Sequence, residues 1–200
     1  MMKKHIVAVA ALAMLSAGAA MAQDFKSGDL LVRARAVHLD SANKDSTGLA
    51  LSVNNKWLPE VDFTYFLSPN LAAELILTVP QKHTLSAGNG ALDIGSLKHL
   101  PPTLTVQYHF DAGSFKPYVG AGLNYTRFSS VKLPAGVDIK RNSTGLALQV
   151  GVDVPLSQTL YLNFDVKKVN IGTKVSAGGA EIGKFKVDPV LVGVGLGWKF

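Results

Sequence analysis

The sequence predicts an all-β protein, an eight-stranded antiparallel transmembrane β-barrel with short periplasmic turns and four long external loops. Three observations predict it. The final segment alternates with a period of two: Val190, Val192, Val194, Leu196, Trp198 and Phe200 share one face, and Leu191, Gly193, Gly195, Gly197 and Lys199 the other. A continuous oily face ending in aromatics, backed by small or polar residues, suits a strand against lipid. The chain is 48% hydrophobic with 19 glycines, yet no run of about eighteen apolar residues follows residue 22, so a membrane role has to come from strands. Only a closed barrel then satisfies every backbone group in lipid. The third observation is the leader. Lys3 and Lys4 precede an apolar stretch from Ile6 to Ala20, and Ala20-Met21-Ala22 offers a small-residue cleavage site.

Residues 1–22 are therefore expected to be a secretory signal peptide, cleaved near Ala22/Gln23, and residues 23–200 a single barrel domain. Cleavage removes two of the 20 basic residues and none of the 14 acidic ones, leaving a mild charge of about +4. The basic residues are dispersed, which excludes a nucleic-acid footprint. With no cysteine there is neither disulfide nor thiolate chemistry.

Eight alternating segments follow in order. Residues 29–39 carry Leu30, Val32, Ala34 and Ala36 on one face and Leu31, Arg33, Arg35 and Val37 on the other. Residues 57–66 set Val61, Phe63 and Tyr65 against Leu58, Glu60, Asp62 and Thr64; Ser68-Pro69-Asn70 then turns the chain. Residues 71–79 set Leu71, Ala73, Leu75 and Leu77 against Glu74, Ile76 and Thr78. Residues 103–110 set Leu104, Val106, Tyr108 and Phe110 against Thr105, Gln107 and His109. Residues 117–127 set Val119, Ala121, Leu123 and Tyr125 against Tyr118, Gly120, Gly122 and Asn124. Residues 144–154 set Leu146, Leu148, Val150 and Val152 against Ala147, Gln149, Gly151 and Asp153. Residues 159–169 set Leu160, Leu162, Phe164 and Val166 against Tyr161, Asn163, Asp165 and Lys167. Residues 190–200 close the series. Three connections are short, and four, near 40–56, 80–102, 128–143 and 170–187, are long, the asymmetry of an outer-membrane barrel. Tyr65, Phe66, Tyr108, Phe110, Trp198 and Phe200 gather at the turn-side ends and are expected to form an outward interfacial belt.

The strings NNKWLPEVDFTYF (54–66), KHLPPTLTVQYHF (98–110), KPYVGAGLNYT (116–126), GLALQVGVDVPL (145–156) and GWKF (197–200) resemble the outer membrane protein W (OmpW) family across essentially the whole mature chain. The loops match poorly. The resemblance implies a narrow barrel in the Gram-negative outer membrane whose lumen takes up small hydrophobic molecules and releases them sideways. It also places Leu58 where the family narrows its channel, although a plain barrel-filling side chain is an equal reading. A second constriction, an aromatic in the family, aligns near Thr144 here, which leaves a wider gate or none at that position.

An eight-stranded barrel is just wide enough for side chains or one small ligand. The inward residues Arg33, Arg35, Asp62, Glu74, His109, Asp153, Asp165 and Lys199 are expected to form a polar floor, because unpaired buried charges are costly. A proton or ion relay is the functional alternative. Toward the outside, Val37, Leu58, Ile76 and Leu191 predict an apolar chamber. Pro59, Pro80 and Pro101-Pro102 sit near the external loops, where a missing N–H weakens strand pairing and permits lateral release.

Other motifs fail. Gly193, Gly195 and Gly197 lie on a strand with no helix following, so they are no phosphate cradle. His38, His83, His99 and His109 lack ligand spacing, so no metal or cofactor is expected. A Ser/His/Asp arrangement using His109 with Asp62 or Asp153 lacks a nucleophile motif, and no enzyme is expected. The expected partners are outer-membrane lipids, lipopolysaccharide phosphates facing the loop lysines, a small hydrophobic ligand, and the barrel-assembly machinery, with Phe200 as the assembly signal on the C-terminal strand. Passive passage of small hydrophobic molecules is the leading expectation; a surface-recognition barrel whose loops bind partners is the competing one.

Overall fold

The computed structural model describes residues 24–200; the expected signal peptide lies outside the described residues. The strands in chain order are β1 (Leu30–Asp40), β2 (Lys44–Asp45), β3 (Ser52–Val53), β4 (Lys56–Phe66), β5 (Leu71–Thr78), β6 (Gln81–Ala87), β7 (Leu92–Leu100), β8 (Thr103–His109), β9 (Lys116–Lys132), β10 (Val137–Ile139), β11 (Asn142–Pro155), β12 (Leu160–Val169), β13 (Gly172–Ala177), β14 (Ala180–Lys186) and β15 (Val190–Lys199). Eight of them, β1, β4, β5, β8, β9, β11, β12 and β15, are the alternating segments of the sequence. They pair antiparallel around a ring in that order, and β15 returns to β1. Closure leaves no edge in the wall.

The alternation dictates which side of the wall each residue takes. Leu104, Leu123, Leu148, Val166 and Val192 are exposed on the outside, while Arg33, Asp62, Glu74 and Asp153 are fully buried within. One expectation about the outer belt is corrected. Phe66 follows the outward Tyr65 by one residue, so its ring turns into the lumen and is completely buried. Pro59 also lies within β4, opposite Ala36, rather than at its rim.

The turn-side connections are residues 67–70, 110–115 and 156–159. The four long connections do not remain loops. Strands β6 and β7 form a hairpin whose β7 pairs with the extended end of β9, and β3 adds to β6. Strands β10, β13, β14 and β2 make a separate four-stranded sheet. Both carry the wall outward beyond the membrane. Leu51, just ahead of β3, and their inward residues Leu85, Leu97, Ile139, Val175 and Phe185 join Phe128 and Ala147 in the largest apolar cluster among the described residues.

Candidate functional site

The lumen is built in layers, and the strand register sets each one. On β1 every inward residue stands opposite an inward residue of β4: Arg33 faces Asp62, Arg35 faces Glu60, and Val37 faces Leu58. On the other side the same three residues face Gly197, Gly195 and Gly193 of β15. The glycine row makes room for their side chains. A methyl group added at Gly195 would come within 2.7 Å of the Arg35 stem and 2.1 Å of the Ala34 carbonyl oxygen. The G-x-G-x-G string is thus a groove for two arginines and a valine.

The ionic layer closes the barrel at mid-height. Arg33 reaches Asp62 at 2.9 Å and Asp153 at 2.6 Å. Arg35 reaches Asp62 at 2.5 Å, Glu60 at 3.0 Å and Glu74 at 3.1 Å. Lys167 lies 2.6 Å from Glu60 and 2.7 Å from Asp165. These three cations face five carboxylates, and neutral donors complete the set. Gln149 donates to Glu74 at 2.6 Å, Thr105 to Glu74 at 2.9 Å, and Tyr118 to Asp165 at 3.0 Å. Of the expected floor residues, Arg33, Arg35, Asp62, Glu74, Asp153 and Asp165 are brought together here. Glu60, Lys167, Tyr118 and Gln149 belong with them; the alternation placed all four inward but did not tell their height.

His109 and Lys199 belong to other layers. Below the ions, the His109 ring lies 4.9 Å from Phe66 and stacks 5.0 Å from Tyr118, and its Nε2 pairs with Gln107 at 2.9 Å. No hydrogen bond joins it to Asp62 or Asp153 among the described contacts. Phe25, ahead of the first strand, stacks on Phe66 at 4.1 Å and on Tyr161 at 5.3 Å. It forms an aromatic stopper at the periplasmic mouth that no periodicity signalled. Lys116 ties this segment down, 2.6 Å from Asp24 and 2.9 Å from Asp111. Lys199 sits at the rim, 3.8 Å from Asp29.

Above the ions, Val37, Leu39 and Leu58 pack with Leu191. Leu58, Ile76 and Leu191 line a cavity of about 30 Å³ whose base is Glu60 and Lys167, room for a water or two. A larger cavity of about 170 Å³ opens above it, lined by Leu49, Leu51, Leu85, Leu97, Ile139 and Phe185 among others. The apolar chamber is therefore supplied mainly by the external hairpins, with Val37 packed beside Leu58 rather than lining either space. Thr144 has the outward phase, exposed opposite Tyr125 and in step with Leu146. It cannot narrow or widen the lumen, which disposes of a gate there.

The strand pairing is interrupted between the two spaces. The β5–β8 ladder ends at Ile76 and Thr103, and β6–β7 pairing resumes at Gln81 and His99. Pro80, Pro101 and Pro102 fill the interval and contribute no N–H. The Asn124 side chain donates to the Pro101 and Pro102 carbonyls at 3.1 and 3.3 Å and to Thr103 at 2.8 Å. Pro101 and Asn124 border the small inner cavity, while Pro102, Leu104, Leu123 and Tyr125 border a groove on the lipid side.

The OmpW family model matches residues 26–200. This chain belongs to the OmpW family. Outer membrane protein W of Vibrio cholerae is 37% identical over the full length of both chains. The crystal structure of the outer membrane protein OprG from Pseudomonas aeruginosa superposes with a TM-score of 0.76 at 29% identity, covering 90% of this chain and 99% of that one. A dibenzothiophene metabolism operon protein, PahQ of Pseudomonas aeruginosa, is 29% identical over 70% of this chain and 69% of its own. As an OmpW-family barrel, the protein resides in the outer membrane.

Proposed function

We propose that this OmpW-family barrel gives small hydrophobic molecules a passive route through the outer leaflet, with release sideways into the membrane. The observation that carries this is the stacking of an apolar external chamber of about 170 Å³ on a lumen stoppered by ions and aromatics. An oily guest gains by entering the chamber. Its straight path ends at Glu60 and Lys167, where desolvating an ion pair would be required. The proline-interrupted wall between the Ile76–Thr103 pair and the Gln81–His99 pair is the low-resistance exit, because no strand-to-strand pair joins the two segments across that interval, while Pro102 stays bonded on its other side to the Tyr125 N–H. The name of the PahQ relative, from a dibenzothiophene metabolism operon, is in keeping with an apolar cargo. No step in this route makes or breaks a covalent bond.

Outside the chamber, the four-stranded external sheet shows lysines to the membrane surface. Lys174 stands opposite Lys184 and Lys44 opposite Lys186. Glu181 offsets Lys174 at 2.6 Å, but Lys44 and Lys186 face each other as like charges across strands, which is unfavourable, so lipopolysaccharide phosphates are the proposed neighbours there. Phe200, whose backbone pairs with Leu30, is kept as the proposed signal to the assembly machinery.

The route is tested by naphthalene uptake in Gram-negative cells that express the barrel. Leu58→Trp fills the space shared by Leu58, Ile76 and Leu191 and is expected to cut uptake several-fold. Uptake by wild type no faster than by cells without the barrel overturns the proposal.

A further inference from the structure

Two grooves on the outer surface meet at Thr144. The upper one, of about 200 Å³, lies against the external sheet and is lined by Lys140, Lys174, Lys184 and Lys186, with Ser143 and Thr144. The backbone fixes this gathering. The Lys140 N–H donates to the Lys174 carbonyl at 3.0 Å, Lys174 stands opposite Lys184, and Gly172 stands opposite Lys186. A methyl group at Gly172 would come within 3.2 Å of the Lys186 stem, so the glycine keeps the groove open. Of the four lysines, only Lys174 has a carboxylate partner among the described residues, Glu181 at 2.6 Å. The Ser143 oxygen accepts from the Gly172 N–H at 3.1 Å, which leaves its own proton to donate. The lower groove, of about 330 Å³, presents Leu75, Pro102, Leu104, Leu123 and Tyr125, with Thr144 again at its border. Thr103 and Asn124 also border it, but both are buried, and the Asn124 amide is bonded to Pro102 and Thr103.

The junction lies where the oily wall ends. Down the strand from Thr144 come Leu146 and Leu148, 61% and 58% exposed. Tyr125, opposite Thr144, has the amphipathic ring that settles at a membrane interface. Lysines directly above a lipid-facing groove match a ligand with an anionic head and an apolar tail. A soluble anion would use the lysines alone and leave the lower groove bare. A phosphomonoester carries about −1.5 to −2 charge and three acceptor oxygens, which suits the three unpaired lysines better than the single charge of a phosphodiester. We propose that the two grooves are one site, which seats a phosphomonoester glycolipid of the outer leaflet, the lipid A of lipopolysaccharide. Its phosphate lies among Lys140, Lys184 and Lys186, and one acyl chain runs along Leu104 and Leu123. The inference rests on the lipopolysaccharide contact proposed above at Lys186 and adds an apolar half and a single bound lipid. It is independent of the conduit.

Native mass spectrometry of the barrel in detergent micelles tests it, by counting the lipids retained as diphosphoryl lipid A is titrated in. One lipid A is expected to bind, roughly tenfold or more tighter than its dephosphorylated form or phosphatidylglycerol, since each lysine beside an anionic lipid contributes roughly fivefold. Replacing Lys184→Gln and Lys186→Gln together is expected to weaken lipid A binding roughly tenfold or more, and Lys184→Arg with Lys186→Arg to keep it. Thr144→Trp fills the junction and is expected to weaken it several-fold. Heat-modifiable migration on gels confirms that each variant is folded. Inorganic phosphate at the same concentration is expected to leave lipid A in place; displacement would reduce the site to an anion site and overturn the apolar half. Equal binding of dephosphorylated lipid A removes both the seat and the contact it rests on. If either the glutamine pair or Thr144→Trp leaves phosphate-dependent binding unchanged, the seat is overturned and the contact alone remains. Phosphatidylglycerol bound as tightly as lipid A overturns the monoester assignment. Naphthalene uptake decides the conduit separately.

Discussion

Arg33 shows how much one residue can hold. Its guanidinium bridges Asp62 from the neighbouring strand and Asp153 from 120 residues away, with no exposure to solvent. Replacing it with leucine leaves Asp153 buried without its cation and Asp62 with Arg35 alone, and Arg33→Leu is expected to cost about 3–5 kcal/mol. Lys174→Ala removes an ion pair with Glu181 that is half exposed on both sides and should cost at most about 1 kcal/mol. Urea unfolding in lipid vesicles, followed by tryptophan fluorescence, measures both; equal costs would show that the ionic layer is not structural. The inward phase of Arg33, Asp62, Glu74 and Asp153 was legible because the side-chain period is two. Their heights were not, since these depend on the stagger of strands around the ring. That is why His109 and Lys199 shared the predicted floor and fell into other layers, and why Glu60 and Lys167 were passed over. Phe25 carried no signal at all, being a lone aromatic ahead of any alternation.

At the scale of the element, the eight wall strands were readable nearly residue for residue, and the external hairpins were not. Strands β6 and β13 also alternate, as Gln81, His83 and Leu85 or Thr173 and Val175 show. They are short, however, and each ladder breaks register once, between Leu85 and Ser86 and between Val175 and Ser176. Their turns, with left-handed φ at Gly88 and Asn89 and at Gly178 and Gly179, look like loop composition in sequence. The β6–β7 hairpin should also be the acid-sensitive part of the molecule. Burial pushes His83 from 6.5 to about 4 and, with His83 and Lys56 nearby, His99 to about 3. Both rings are neutral when packed and take up protons at 6.5 once exposed. Their contribution is therefore complete above pH 6.5 and is lost as pH falls toward 4. A loss of order 2 kcal/mol for each ring is expected near pH 5. Hydrogen exchange of the hairpin amides, corrected for intrinsic rates, should be faster there than at pH 7, and replacing both histidines with leucine should flatten the difference.

For the whole molecule, the decisive property is that the membrane-spanning wall is oily outside and polar inside, the reverse of a soluble domain. Leu148 is 58% exposed on β11, between Leu146 and Val150 on the same outer face. Leu148→Arg puts a charge in hydrocarbon and should cost about 2–4 kcal/mol of folding stability in bilayers; a neutral result would mean that this face does not meet lipid. The first wall strand and the last are joined by ten residue pairs, from Leu31 with Lys199 to Asp40 with Val190, a seam built like every other. Until β15 has come off the ribosome, nothing upstream can become an object that lipid tolerates, because a seven-membered sheet keeps two sticky borders. Insertion is therefore all or nothing, and a polypeptide stalled short of its final ten residues is a seed for clumping rather than a smaller barrel.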